Sequence, residues 1–131
     1  MLSTVLGLTF LTAACADPVA PPAPTPVAPT ITEAFTDTLL QFGTNTHQFG
    51  VQQVGGLKVS LTGVSPPASV SFGVGVHSLT GCALISQQKY EPGTPAQLSG
   101  TATTTGQFCV MVYDLGTLTE PVTYTVSVLH S

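Results

Sequence analysis

The amino-acid sequence predicts an all-β domain, a sandwich of two antiparallel sheets with about eight strands. Apolar and polar residues alternate in short runs, which is the period of a strand with one buried face. Glycine and proline separate these runs about every ten residues, a spacing typical of sandwiches. Charged residues make up only 6% of the chain, against about 25% in soluble domains generally. This depletion argues against helices with salt-bridged outer faces.

The predicted strands follow one another along the chain. The clearest alternation lies at residues 57–62, 70–76, 108–113 and 124–128, and weaker patterns lie at 35–39, 47–51, 82–88 and 96–103. Breaks are predicted at 55–56, 65–67, 91–93, 105–106 and 120–121, where Gly and Pro occur. One face of each strand is expected to pack against the opposite sheet. The predicted core is Phe35, Phe49, Leu57, Val59, Leu61, Val70, Phe72, Val74, Phe108, Val110, Val112, Tyr124 and Val126.

The N-terminal region has the pattern of an export signal. Residues 1–14 are apolar or small and too few to span a bilayer as a helix. They lead into Leu11-Thr12-Ala13-Ala14-Cys15, which resembles the lipobox of bacterial lipoproteins. The resemblance implies that Cys15 becomes a diacylated first residue, and Ala16 after it resembles outer-membrane sorting. Cleavage after Ala16 is the alternative and would release a periplasmic or secreted protein, but we favour the lipoprotein.

A proline-rich stretch separates this signal from the folded body. Residues 18–29 alternate proline with small residues, a composition that favours polyproline II. At about 3.1 Å per residue, a dozen residues reach roughly 37 Å. We therefore predict that residues 15–30 form a lipid-anchor cysteine and a semi-rigid tether, and that residues 31–131 form the domain.

Two cysteines remain in the predicted domain, Cys82 and Cys109. In an exported domain such a pair predicts a disulfide. Closing a loop of about 28 residues stabilises a fold by about 3.5 kcal/mol in the chain-entropy model. No CxxC spacing supports the alternative of a redox or metal-binding pair.

The charge balance excludes two classes of partner. The net charge is −4, and the only basic residues are Lys58 and Lys89. Binding to nucleic acid requires clustered Lys and Arg, and so does electrostatic attachment to an anionic membrane. We therefore expect neither, and the membrane contact that we predict is through the lipid anchor.

The residues able to perform catalysis are few and scattered. Each histidine is interpreted as a solvated surface residue, and no short-spaced His pair or Gly-x-Ser-x-Gly motif occurs. We therefore predict that the protein is not an enzyme and that it binds neither a metal nor a cofactor. The candidates weighed for catalysis are His47, His77, His130, Asp37, Asp114, Glu33, Glu91 and Glu120.

Three residues are candidates for a binding surface. Tyr113 alternates with Cys109 and Met111, off the predicted core face, whereas Tyr90 precedes the predicted break at 91–93 and is expected in a loop. His77 falls on a polar face or in the adjoining turn. Exposed aromatic side chains serve as contacts for protein or glycan. The alternative for Tyr113, which we slightly favour, is that it packs under a loop or against the disulfide.

The order of motifs resembles the bacterial pre-peptidase C-terminal domain. The segments that carry the resemblance are 33–39, 46–51, 56–62, 106–114 and 124–128, and they cover nearly all of the predicted domain. The resemblance implies a jelly-roll-like sandwich that serves as an accessory or substrate-binding module. Some relatives bind calcium through clustered acids near the domain start. Here only Glu33 and Asp37 lie there, too few for the six to eight oxygen ligands of calcium, so no metal site is carried over.

Two functions follow as hypotheses. The first is a non-catalytic accessory module, displayed on the cell envelope, that binds a protein or polysaccharide of the envelope or exterior. The second is a structural subunit that associates with itself or with an envelope complex, since few charges guard the predicted strand edges against pairing.

Overall fold

A computed structural model describes Pro21 and residues 30–131. The signal segment, Cys15 and most of the tether therefore lie outside the described residues. Eight strands occur, and all eight predicted strands are confirmed, with ends that differ by a few residues. No helix suited to spanning a membrane is found in residues 30–131. The strands are β1 (Ile31–Leu39), β2 (Thr44–Val51), β3 (Gly55–Ser65), β4 (Val70–Ser78), β5 (Gly81–Tyr90), β6 (Ala96–Ala102), β7 (Gly106–Tyr113) and β8 (Val122–His130).

The strands pair as a nested set. β1 pairs with β8, β2 with β7, β3 with β6 and β4 with β5, all antiparallel. Further pairing of β3 with β8 and of β4 with β7 rolls this long hairpin into two sheets, ordered β1-β8-β3-β6 and β2-β7-β4-β5. Such an arrangement is the eight-stranded jelly roll. The predicted two-sheet antiparallel sandwich is confirmed.

The nested pairing gives the sandwich two distinct ends. One end, here called the loop end, holds the connections 40–43, 66–69, 91–95 and 114–121, because Leu39 pairs with Val122 there. The other, the terminal end, holds residues 30 and 131 and the connections 52–54, 79–80 and 103–105. The start of β1, which the tether precedes, therefore lies at the end opposite to the loop end.

The core fills the space between the sheets, largely as predicted. Phe35 and Leu57 are exceptions, since they are only partly buried against it. Phe35 lies on β1, an edge strand, and one of its sides therefore stays open. Residues near strand ends and in loops, missed by the sequence analysis, complete the core: Leu39, Val51, Val64, Ala96, Ala102, Leu118, Val122 and Val128.

The predicted disulfide is present and bends the second sheet. Cys82 of β5 and Cys109 of β7 are bonded, with a Cα–Cα distance of 5.8 Å, although β4 lies between those strands. Strands two places apart in a flat sheet lie about 9.5 Å apart, so β5 must fold over β4. Gly75 permits this, because a Cβ there would lie 2.0 Å from the Ala83 carbonyl oxygen. The register of β4 against β5 shifts at the same place, between Val74 and Gly75.

One predicted break is wrong. Gly55 and Gly56 do not interrupt the chain but begin β3, where they pair with Ala102 and Thr101. Neither glycine has a positive φ, so both fit an extended strand. Two glycines in a row therefore did not mark a turn here.

Candidate functional site

The three residues predicted as a binding surface do not converge. Tyr90 is the last residue of β5 and packs against the core, so its prediction as a loop residue is wrong. Tyr113 lies on the outer face of its sheet, where its hydroxyl donates a hydrogen bond to Oε1 of Gln87 at 2.8 Å. His77 pairs with Cys82 near the terminal end, and its Nδ1 is buried without a hydrogen-bond partner. These positions do not form one site.

His130 is buried and not a solvated surface residue, contrary to the prediction. It is 2% exposed, and its Nε2 donates to Oε2 of Glu33 at 2.6 Å. The Phe49 ring lies against the imidazole, at 5.1 Å between centroids. The nested pairing places the last strand beside the first, which turns a residue near the C-terminus into a core residue. His130 thus ties β8 to the edge strand β1.

His47 is also partly buried, between the two sheets. Its Nε2 lies 2.6 Å from the hydroxyl of Tyr124, and its ring stacks on Phe35 at 4.9 Å. Burial lowers the pKa of His47, although the nearby Asp37 carboxylate opposes this shift. Burial likewise raises the pKa of Tyr124. The pair joins the first sheet to the second along their open side, which is a structural role.

These histidines form no recognisable catalytic or metal-binding set. The partner of His130 is the Glu33 carboxylate, and that of His47 is the phenolic hydroxyl of Tyr124, which burial keeps protonated by raising its pKa. Neither imidazole is hydrogen-bonded to a Ser, Thr or Cys side chain that it could activate as a nucleophile. Within residues 30–131, no three His, Cys, Asp or Glu side chains are grouped closely enough to hold a metal ion. Their hydrogen bonds instead join one strand to another.

The most unusual backbone in the described chain lies in the turn between β1 and β2. The Gly43 N–H donates to the Leu40 carbonyl at 2.8 Å, which closes a turn over residues 40–43. Phe42, the third residue of this turn, has a φ of 55° and is the one non-glycine residue of the described part with a positive φ. Such a position usually takes Gly or Asn, because a Cβ is strained there. Strain of this kind is concentrated at functional sites.

Asp114, at the start of the β7–β8 connection, holds this turn in place. Its Oδ2 accepts the Phe42 N–H at 2.9 Å. Its Oδ1 accepts the N–H of Thr117 at 3.0 Å and that of Leu118 at 3.2 Å. Its own N–H donates to the Gly43 carbonyl at 3.0 Å. One carboxylate that is 5% exposed therefore organises both connections.

The hydrogen bonds also set the acidity of Asp114. Burial alone would raise the pKa of its carboxyl, but the donors from Phe42, Thr117 and Leu118 outweigh burial, so the pKa lies below its ordinary value. The carboxylate is therefore charged in the folded protein at neutral pH.

Three large apolar side chains are exposed at this place. Phe42 is 71% exposed, Leu40 60% and Leu115 75%. The Phe42 ring lies over Gly116, where a Cβ would meet its Cε1 atom at 2.6 Å. The two connections are thus in contact, and we call Leu40, Phe42 and Leu115 the apolar tip. An exposed apolar group on a rigid support is typical of protein-binding sites.

The loop end, at which the apolar tip lies, is acidic. Four of the six carboxylates of the chain lie at the loop end: Asp37 near the end of β1, Glu91 after β5, Asp114 after β7, and Glu120 before β8. Lys89 is the one lysine there, and its Nζ lies 3.5 Å from Oε1 of Glu91. Lys58 lies in β3 nearer the terminal end, where it pairs with Leu129.

The apolar tip was not predicted from the sequence. The weak signals for it are the Phe42-Gly43 pair between two strands, and Asp114 three residues before Thr117, a spacing at which Asp caps turns. Neither signal links the two connections, which are about 70 residues apart in sequence and meet only in the fold.

Comparison with known proteins identifies the fold and not a family. No family model matches the chain, and no curated protein matches its sequence. Among solved structures, it resembles PliG of Aeromonas hydrophila, a periplasmic inhibitor of g-type lysozyme, with a TM-score of 0.56 and 16% identity over 74% of this chain and 83% of that chain. It also resembles the Yersinia pseudotuberculosis-derived mitogen, with a TM-score of 0.56 and 13% identity over 77% of this chain and 86% of that chain. At these identities the likeness shows a shared β-sandwich fold.

Proposed function

We propose that this protein is an exported, non-catalytic binding module that engages a protein through its apolar tip. The observation that carries the proposal is Phe42, an aromatic side chain held exposed in a backbone conformation that disfavours it. A buried carboxylate stabilises the strained turn. The exposed Phe42 side chain is not part of the core, so an external contact is the simplest reason for holding it there.

The use of the titratable groups supports a non-catalytic role. His130 pairs with Glu33, His47 with Tyr124, and Asp114 with backbone donors of two connections. General acid–base catalysis requires such groups to face a substrate in a cleft. Here they hold strands and turns together instead.

The position of the tether supports display on the cell envelope. The disulfide between Cys82 and Cys109 suits an oxidising compartment. The tether enters at the terminal end, so an anchor at Cys15, in the outer membrane as the lipobox resemblance implies, would direct the apolar tip away from the surface. Kinship with the pre-peptidase C-terminal domain is part of the same proposal, because such domains serve as accessory modules.

A protein partner is compatible with the known uses of the fold. The Aeromonas protein of similar fold is an inhibitor of another protein, a g-type lysozyme. A jelly roll presents its connections at one end on a rigid base, which suits recognition by loops.

Direct binding measurements test the proposal. The purified full-length chain is applied to arrays of bacterial envelope proteins and peptidoglycan-cleaving enzymes, a g-type lysozyme among them, and to a glycan array. We expect saturable binding to at least one protein, lost in a Phe42→Ser variant and kept in a Leu79→Ser variant. Leu79 is the matched control because it is fully exposed in the β4–β5 connection.

Two results would overturn the proposal. One is hydrolase activity that a His47→Gln variant abolishes, since the protein would then be an enzyme. The other is protein binding that Phe42→Ser leaves unchanged, since the apolar tip would then not be the contact.

A second candidate, a self-associating structural subunit, is favoured by one observation. The edge strand β6 contains neither a charged residue nor a proline, and such features normally protect an edge from pairing. Light scattering across a hundredfold range of concentration tests it, and a monomer throughout would exclude association through this edge.

A further inference from the structure

We propose that the partner of the apolar tip is a cationic protein with an apolar pocket that takes the Phe42 ring; this inference rests on the proposed function and adds the chemical class of the partner. It combines two independent observations, the exposed apolar side chains and the uneven distribution of charge.

The charge is concentrated at the loop end. Asp37, Glu91 and Glu120 are exposed there, and the buried Asp114 carboxylate adds to the negative potential. The Lys89 side chain offsets part of it through Glu91. Toward the terminal end, Glu33 is paired with His130 and Lys58 is exposed. A partner that approaches the loop end therefore meets a negative potential, which favours a positively charged surface.

The same charge argues against a lipid surface. Exposed Leu and Phe side chains at a loop tip are able to insert into a bilayer, but peripheral insertion into bacterial membranes is usually assisted by Lys and Arg near anionic headgroups. Here three exposed carboxylates share the loop end with the apolar tip, and the one lysine of that end is in an ion pair. Anionic headgroups would repel the loop end.

The chemistry of the apolar tip argues against a glycan. Sugars are recognised by aromatic faces together with hydrogen-bonding groups that pair with their hydroxyls. The apolar tip places two aliphatic side chains, Leu40 and Leu115, around one phenyl ring and offers no side-chain donor. These groups gain most by entering an apolar pocket on a protein.

The rigid turn adds to the strength expected of such a contact. The Phe42 backbone is fixed by the bond to Asp114, and its ring rests on Gly116. Binding then orders few additional rotatable bonds, so less conformational entropy is lost. Phe42 is therefore the anchor residue of the contact. The exposed carboxylates at the loop end attract a positively charged partner toward it.

The test uses a defined probe, a phage-displayed library of random 12-residue peptides constrained by a disulfide. The full-length chain is immobilised and selection is carried out in 50 mM NaCl. We expect the enriched peptides to carry a net positive charge and at least one large apolar residue. Their affinity for the Phe42→Ser variant should be at least about tenfold weaker, as for an anchor residue. The Leu79→Ser variant should bind within about twofold of the unmodified chain, as expected away from the contact.

Charge variants separate steering from packing. We expect the double variant Glu91→Gln/Glu120→Gln to weaken the binding of selected peptides several-fold in 50 mM NaCl and to have little effect in 500 mM NaCl, because salt screens exposed charges. Lys58→Gln is the control, since Lys58 lies away from the loop end. Absence of any salt dependence would overturn the inference.

The remaining outcomes distinguish this inference from the proposed function. Enrichment of neutral or acidic peptides through Phe42, or binding of Phe42 to vesicles of 70:30 phosphatidylcholine and phosphatidylglycerol or to a glycan array, overturns the cationic protein partner. Peptides that bind equally well to Phe42→Ser overturn both the inference and the apolar tip as the contact, whereas neutral or acidic peptides that need Phe42 overturn the inference alone. Enrichment no greater than on an unrelated β-sandwich overturns both proposals.

Discussion

The β4–β5 and β1–β2 connections of this jelly roll each expose a large apolar side chain, but their backbones differ in how they hold it. In the β4–β5 connection Leu79 is fully exposed, and the positive φ, of 124°, falls on Gly81 at the start of β5, where it costs little. In the β1–β2 connection the positive φ falls on Phe42 itself, next to a glycine that does not take it. The first turn is relaxed and its leucine is incidental, whereas the second holds its aromatic residue against a conformational preference.

The supports of the two connections differ as well. The hydroxyl of Ser78 bonds to Thr80 and to the Gly81 carbonyl, all exposed and local in sequence. The Phe42 turn instead depends on Asp114, which is buried and lies 72 positions further along the chain. Exposure alone is therefore a weak guide to function, and the way in which the exposed residue is held is a better one.

The largest expected effect is that of removing the disulfide, which should lower stability without changing the apolar tip. Replacing both Cys82 and Cys109 by Ser should lower the free energy of unfolding by about 3.5 kcal/mol in the chain-entropy model. Because the disulfide joins β5 to β7 away from the loop end, the NMR signals of Phe42 should stay unchanged in the folded fraction. Urea unfolding with NMR checks both, and a shift at Phe42 would show that the two regions are coupled.

Removing the Asp114 carboxylate, which supports the apolar tip, should lower the free energy of unfolding by less than removing the disulfide. It should change the backbone conformation at Phe42 by more. Asp114→Ala leaves the backbone donors of Phe42, Thr117 and Leu118 without their acceptor, which should cost about 2–3 kcal/mol. Hydrogen exchange at the Phe42 amide should then become fast. Glu120→Gln, an exposed acid of the same connection, is the control and should change neither measurement.

The pH dependence of this support has a definite sign. The pKa of Asp114 is lowered in the folded state, so its contribution is complete above the unfolded pKa of about 3.9 and is lost as pH falls through the folded pKa. The unmodified chain should therefore lose stability between pH 5 and pH 2 more steeply than Asp114→Asn. Parallel acid-unfolding curves for the two chains would contradict this assignment.

Phe42→Gly tests most directly whether the β1–β2 turn is strained and the β4–β5 turn is not, because glycine accepts the positive φ of the β1–β2 turn. We expect the variant to be more stable by about 0.5–1 kcal/mol while it loses binding. Leu79→Gly, in the relaxed connection, should be neutral or slightly destabilising. Thermal unfolding of the two variants measures the difference, and destabilisation by Phe42→Gly would mean that the ring supports the fold.

The smallest effect concerns the contact between His47 and Tyr124, which joins the two sheets. Burial lowers the pKa of His47, so the folded state disfavours the protonated form. The folded state therefore keeps its full stability above the unfolded pKa of about 6.5, where His47 is neutral in both states. Its stability decreases as the pH falls from there toward the folded pKa, because the unfolded chain then binds a proton more readily. His47→Gln should flatten the fall in melting temperature between pH 7.5 and 5, and an unchanged slope would contradict the role given to burial.

Prediction from the sequence succeeded for most local patterns, with the break at Gly55 and Gly56 as an exception. Alternation along a strand identified all eight strands and most of the core, since the period of side chains in a strand is a property of the strand itself. Prediction failed for His130 and Tyr90, because their burial depends on which strand lies beside them.

The amino-acid sequence by itself determined the fold class and the disulfide, because alternation, turn residues and two cysteines are readable along the chain. Only the tertiary structure decided the site. Nested pairing brought Asp114 to Phe42 across 72 positions and gathered four carboxylates at one end of the sandwich. Contacts between residues so far apart arise from the order in which strands pair, and no local pattern records that order.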